Sequence, residues 1–253
     1  MLSAAPHAAS RDIAPVQGSF ADDGDAPSAM QGARDFSQQA SAAAFETRLR
    51  VTAAPSPGER CDAEGFLERA YREAFASRIP SHYPHLMCAL DESGRVRGAV
   101  GYRCAGAEDL FLEHYLSEPV DVVLARMTGR PVPRAAIAEI GTLACADPGC
   151  SATLFAALAA RLRALGCTHA AATATRPLRR IFRRVGFHTI DLARADAARA
   201  PGGGAAWGRY YDFDPVVVAG AIEECAGPLA ARCARAQAPR ADAVRAACGE
   251  RSR

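Results

Sequence analysis

The chain has 253 residues, 49% of them apolar, and a formal net charge of +2. That length allows one large domain or two small ones with a real core, and the near balance of charge argues against nucleic acid as a principal partner. No apolar run approaches the ~20 residues of a membrane-spanning helix, and the N-terminal stretch lacks the basic start and apolar block of a secretory signal.

All 30 basic residues are Arg, a bias that fits a GC-rich genome better than a function. Nine cysteines are scattered without a C-x-x-C pair. Reduced thiols in a cytoplasmic protein are therefore expected, with no disulfide framework and no metal site.

Residues 1–44 are rich in Ala, Ser, Asp, Gly and Pro, and five Asp against Arg11 and Arg34 leave a charge of −3. This segment is expected to be disordered. Residues 45–226 form one dense region, the expected domain. It opens with Glu46–Ala54, which alternates as a strand. Asp62–Arg78 follows as a helix with Phe66, Leu67, Ala70, Tyr71, Ala74 and Phe75 on one face. Leu86–Ala105 reads as a hairpin turning at Glu92-Ser93-Gly94. Asp109–Leu116 reads as a helical turn, and a short helix starts near Pro119. Arg134–Ala146 is a strand and Ser151–Gly166 a helix striped by Leu154, Leu158, Leu162 and Leu165. Thr168–Thr175 is a strand, Arg176–Phe187 a helix, and Gly208–Phe213 the last strand. Residues 227–253 carry six Arg against Asp242 and Glu250, or +4. They read as a loosely ordered Ala/Arg-rich tail, either plainly solvated or in peripheral contact with a membrane surface. The order β-α-β-β-α-β-α-β-α-β predicts a mixed sheet with helices on both faces.

Glu139 stands in an apolar strand beside Ile137, Ile140 and Leu143. Partial burial raises the pKa of such a carboxyl, as a general base working near neutrality requires. The alternative is a structural ion pair, for example with Arg103. Ala146–Cys150 joins that strand to a helix, and free backbone N–H groups at a helix start attract anions, pyrophosphate above all; Ser151 serves equally well as a plain N-cap. The Ala- and Thr-rich strand Thr168–Thr175 fills little volume, leaving room for a close-packed helix or for an extended ligand. Trp207–Phe213 gathers the single Trp with Tyr210 and Tyr211, either as packing or with a hydroxyl turned to a cleft as proton donor. The nucleophile elbow, zinc-binding and Walker patterns are absent. Cys145 and Cys150 flank the turn without a His in any recognisable pattern beside them.

Together these pieces resemble the GNAT acyltransferase fold, and more distantly the autoinducer synthases built on it. More closely, Gly98–Leu116, Ala138–Leu154 and Trp207–Ile222, with Pro177–Asp196, are similar to the bacterial thermostable hemolysin family, over about Leu86–Ile222. The resemblance implies an α/β fold with a mixed, mostly antiparallel central sheet, helices on both faces, and a splay between the fourth and fifth strands. It implies an N-acyltransferase moving an acyl group to an amino-acid-like amine. The donor would be an acyl carrier protein's pantetheine or acyl-coenzyme A, with no metal. Residues and resemblance together lead to the expectation that Glu139 is the base and Tyr211 or Tyr210 the proton donor, with the roles that follow. Arg103, Glu113, Trp207 and Thr175 bind substrate. The backbone at Leu143, Ala144, Gly149, Cys150, Ser151 and Ala152 holds the thioester and its arm. Thr142 stands where the family pattern has Asn, and the turn lacks the R-G-x-G-x-G/A of GNAT enzymes, which suits a carrier-protein arm better than coenzyme A. A membrane-active lytic protein, as the family's name suggests, and a non-catalytic acyl-pantetheine-binding relative are the competing expectations.

Overall fold

Ser56 opens the first helix with a reciprocal cap: its hydroxyl accepts from Glu59 N–H at 3.3 Å while the Glu59 carboxylate accepts from Ser56 N–H at 2.8 Å. A computed structural model describes residues 49–225 and 227. The disordered N-terminal segment and nearly all of the Arg-rich tail expected above lie outside the described residues. Within them, β1 (Arg50–Thr52) leads to helix α1 (Pro57–Phe75), the hairpin β2 (His85–Leu90) and β3 (Val96–Cys104), and a 3-10 turn (Phe111–Tyr115). Helix α2 (Val120–Thr128), strand β4 (Ile137–Cys145), helix α3 (Pro148–Ala164), strand β5 (His169–Ala174) and helix α4 (Arg176–Arg184) follow. The chain closes with β6 (Ile190–Arg194) and β7 (Val216–Ala221).

The seven strands form one sheet in the order β1-β2-β3-β4-β5-β7-β6. Every neighbouring pair is antiparallel except β4–β5, whose parallel pairing needs the crossover that α3 provides. Alternation along the strands separates two cores. Leu86, Cys88, Leu90, Ala99 and Ala144 pack against Ala63, Phe66, Leu67 and Ala70 of α1. Met87, Ala89, Val100, Ala138 and Ile140 turn the other way, to Leu154, Leu158 and Leu162 of α3. The sheet is therefore covered on both faces, as expected.

The end of the domain differs from the sequence reading. Gly208–Phe213 is not a strand: it belongs to a 3-10 segment, Pro201–Phe213, bent at Gly202, Gly203, Gly204 and Gly208, which all have positive φ. Its aromatic richness serves packing, with Tyr210 and Phe213 ring centroids 5.2 and 5.4 Å from Phe75 at the end of α1. The strands in this region are β6 and β7, one an exposed edge and the other an uninterrupted apolar run in the sheet interior.

Among the described residues no helix is long and apolar enough to cross a membrane, and no group of three His, Cys, Asp or Glu is placed to hold a metal ion. The seven described cysteines are free thiols.

Candidate active site

The parallel pairing of β4 with β5 runs from Ile137↔His169 to Ile140↔Ala172 and stops. The cause lies on the other side of β4. Ala99 faces Ala144 and Gly101 faces Gly141, so Thr142 and Leu143 share the single partner Val100. This is a β-bulge, with Thr142 forced to φ 44°. The bulge turns β4 away from β5 and opens a cleft between them. This is the splay expected between the fourth and fifth strands.

Gly141, Thr142 and Leu143 form one lip of the cleft and Ala172 and Thr173 the other; Phe111, Trp207, Tyr71 and Tyr210 roof it. The rings lock one another, with centroids 5.7 Å apart for Phe111–Trp207 and 5.8 Å for Trp207–Tyr210. The Tyr210 hydroxyl donates to Thr173 C=O at 2.7 Å. The Leu143 N–H, at the bulge, donates to the Tyr71 hydroxyl. Thr142 Oγ1 and Thr173 Oγ1, one on each lip, are buried and have no hydrogen-bond partner among the described residues. A buried hydroxyl without a partner costs about 1–3 kcal/mol, and each of these two belongs to a residue that lines the cleft.

Glu139 lies two residues before Gly141 on the same strand face and is 1% exposed. Its oxygens accept from the first amides of the 3-10 turn, Phe111 N–H at 2.8 Å and Leu112 N–H at 3.0 Å. Arg103, its register partner on β3, brings Nε to 3.6 Å. Burial pushes the carboxyl up to about 7, against the opposing pull of the Phe111 amide, Arg103, the Leu112 amide and the Tyr83 hydroxyl. Of the alternatives left open by the sequence, the ion pair with Arg103 is present, and it coexists with a carboxyl raised by burial.

Tyr83 escaped the sequence reading. It sits in the loop between α1 and β2, where no periodic pattern marks it. Its hydroxyl lies near enough to Glu139 for the two to interact, and the residue lines the cleft. The Arg103 guanidinium caps its ring at 4.6 Å. Its faithful signal in the sequence is indirect, in Gly101 and Gly141, whose added Cβ atoms would lie 2.7 and 2.1 Å from Tyr83 atoms.

Of the residues singled out from sequence, Leu143, Trp207 and Tyr210 line the cleft. Tyr211 lies behind it, with its hydroxyl 2.8 Å from that of Tyr115, a cleft residue. Arg103 reaches Glu139 and Tyr83 but also the Asp109 carbonyl at 3.2 Å. Both Glu113 oxygens are engaged: Leu110 N–H and Val120 N–H donate at 3.2 and 2.8 Å, and Arg134 bridges at 2.5 and 2.8 Å. Against the burial that raises it, those Arg134 and amide contacts hold the Glu113 carboxyl down at about 2. Thr175 is fully buried at the start of α4, with no hydrogen-bond partner among the described residues for its hydroxyl. Ala144 is buried in the ladder opposite Ala99. Gly149, Cys150, Ser151 and Ala152 form the first turn of α3. Its N-cap is Asp147 rather than Ser151: the Asp147 carboxylate accepts from Cys150 N–H at 2.8 Å and pairs with Arg97 at 3.3 Å.

A second, apolar hollow lies between α3, α4 and the sheet, lined by Leu158, Ala159, Leu162 and Phe187 among others. Ile140 and Phe182 border both cavities.

A mixed sheet parted at its one parallel pair, with an aromatic-roofed slot at the parting, is the arrangement of a GNAT-like acyltransferase fold. The same fold occurs in three solved structures. TofI in its apo form is 16% identical, with TM-score 0.51, over 74% of this chain and 99% of that one. FeeM, an N-acyl amino acid synthase from uncultured soil microbes, is 15% identical, with TM-score 0.51, over 71% and 93%. The AHL synthase LasI is 11% identical, with TM-score 0.51, over 72% and 95%. Identities this low speak for the fold alone. No curated protein sequence matches the chain. The thermostable hemolysin family model matches residues 53–226, and the chain belongs to that family.

Proposed function

We propose that the protein is an N-acyltransferase whose cleft takes an acyl thioester arm and transfers the acyl group to a small amine. The observation that carries this reading is the parting of β4 and β5 beyond Ile140 and Ala172, with an unpartnered buried hydroxyl on each lip. A pantetheine arm is a narrow chain bearing amides, which would meet both hydroxyls. On donor binding the Leu143 N–H exchanges the Tyr71 hydroxyl for the thioester carbonyl and polarises it, where charge develops in the transition state. Glu139 is the base that finally receives the proton of the attacking amine. Tyr210, the tyrosine that lines the cleft, supplies a proton to the departing thiolate. Trp207 and Phe111 pack against the acceptor, Arg103 holds Glu139 in place, and Glu113 with Arg134 fixes the 3-10 turn that presents its amides to Glu139.

A carrier-protein donor fits better than coenzyme A. The first turn of α3 is already occupied by the Asp147 carboxylate, which a diphosphate would have to face. By contrast α4, whose Leu178 and Phe182 wall the cleft, carries exposed Arg176, Arg180, Arg183 and Arg184 on its solvent side, a surface suited to an acidic carrier. Such donors are cytoplasmic, and the reading puts the protein there. Lysis then follows from a detergent-like amide product rather than from the protein itself.

Free thiol released from acyl-pantetheine or acyl-carrier thioesters in the presence of a panel of amines tests the reading. Release by the wild type and a 10²–10⁴-fold slower release by Glu139→Gln are expected. No release with any donor, together with leakage of liposomes by the pure protein, overturns it in favour of direct lysis.

A further inference from the structure

Glu139 cannot meet a substrate directly: it is 1% exposed, and it is absent from the cleft lining. Its polar neighbours are the Phe111 and Leu112 amides, Arg103 and Tyr83. The amides and the guanidinium hold their protons too firmly to shuttle them. Tyr83 differs. Arg103 reaches both the Tyr83 ring, at 4.6 Å, and Glu139, at 3.6 Å, so the Tyr83 hydroxyl neighbours that carboxyl on one side, and the residue is part of the cleft lining on the other.

The fold also goes to some length to hold that hydroxyl in place. The β3–β4 ladder sets two glycines, Gly101 and Gly141, directly opposite each other. Tyr83 lies over the pair so closely that a Cβ on Gly141 would sit 2.1 Å from its hydroxyl oxygen. Arg103 covers the ring at 4.6 Å. The phenol can tilt little, so its oxygen stays between Glu139 and the slot.

We propose that Tyr83 is the catalytic residue that touches the reacting amine, and that Glu139 acts through it. This inference rests on the acyl-transfer reading and supplies the contact that reading lacks. The nitrogen lone pair attacks the thioester carbonyl carbon, a C–N bond forms, and the carbonyl electron pair moves onto oxygen at the Leu143 N–H. The nitrogen passes a proton to the Tyr83 oxygen as the Tyr83 proton passes to Glu139. Collapse re-forms the carbonyl and breaks the C–S bond. The thiolate takes a proton from Tyr210, which recovers one from solvent, and Glu139 returns its proton through Tyr83 to solvent in the cleft. The products are an amide and a free thiol. Burial and the adjacent Glu139 hold the Tyr83 hydroxyl well above its ordinary pKa, so it passes a proton along without resting as a phenolate.

The test compares wild type, Tyr83→Phe, Glu139→Gln and the double variant in the thiol-release assay, with a pH profile for each. Phenylalanine keeps the ring in the glycine slot, so melting temperatures close to wild type are expected. Tyr83→Phe should lose 10²–10⁴-fold in kcat, as Glu139→Gln does. The double variant should be no slower than either, because residues acting as a unit are non-additive. The residual activity of Tyr83→Phe should also lose the rise in rate near pH 7. Glu139→Asp, which keeps the acid but withdraws it from the Tyr83 oxygen, should be impaired as severely; it serves if Tyr83→Phe folds poorly. Wild-type-like turnover in Tyr83→Phe, or a pH rise it retains, overturns the relay while leaving acyl transfer standing. Absence of turnover in the wild type overturns the acyl-transfer reading and the relay together.

Discussion

Gly101 and Gly141 are register partners across the β3–β4 ladder, and Tyr83 occupies the gap their missing side chains leave. The pair converts two strand positions into a seat for a loop residue. That residue also lines the cleft.

Gly141→Ala places a methyl group where the Tyr83 oxygen now lies, 2.1 Å away. The ring must move, since overpacking of this kind costs about 1–3 kcal/mol. Thermal melting should show a lowered but cooperative transition. Thiol release should fall at least tenfold, out of proportion to the loss of folded protein at the assay temperature.

The Glu139 carboxyl, raised by burial from 4.5 to about 7, gives a signed pH dependence. Between those values the folded state holds a proton that the unfolded state has released. Stability contributed by the neutral form is therefore present below about pH 4.5 and is lost as pH rises to about 7. Activity runs the opposite way, because the base must be ionised, and should climb through pH 7. Melting temperatures across this range should slope downward in the wild type and less so in Glu139→Gln. An unchanged slope in the variant would assign the titration to another group.

The apolar chamber that shares Ile140 and Phe182 with the cleft is where a long acyl tail would lie. Ala159→Phe projects a ring into it from α3. With donors of increasing chain length, KM should rise for long acyl groups and stay near wild type for short ones. Equal effects on both would place the tail elsewhere.

Much of the sheet was legible because its signals are local. Ile137–Cys145 is apolar and β-branched at its start, α3 follows with a leucine stripe, and the β2–β3 turn is fixed by Asp91 and Gly94. The last two strands were not. Ile190–Arg194 is a half-exposed edge with little alternation, and Tyr210 and Tyr211 imitate a strand while packing in a 3-10 segment. For the site, an acid in an apolar strand made Glu139 visible. Tyr83 stayed hidden because its position depends on two glycines about 18 and 58 residues downstream, and contact across such separations leaves no period to read. The α3 cap was misjudged for a simpler reason: Asp147 precedes Pro148, and Pro at the first helical position moves the start three residues ahead of Ser151.

On the proposed reading, this cleft makes an amide from an acyl thioester. Mass spectrometry of lipids extracted from cells producing the wild type, beside cells producing equal amounts of folded Glu139→Gln, tests it most directly. New N-acyl amides should appear with the wild type and be absent or at least a hundredfold scarcer with the variant, the lower bound for loss of a general base. Identical lipid extracts from the two, with erythrocytes lysed equally by both, would contradict it.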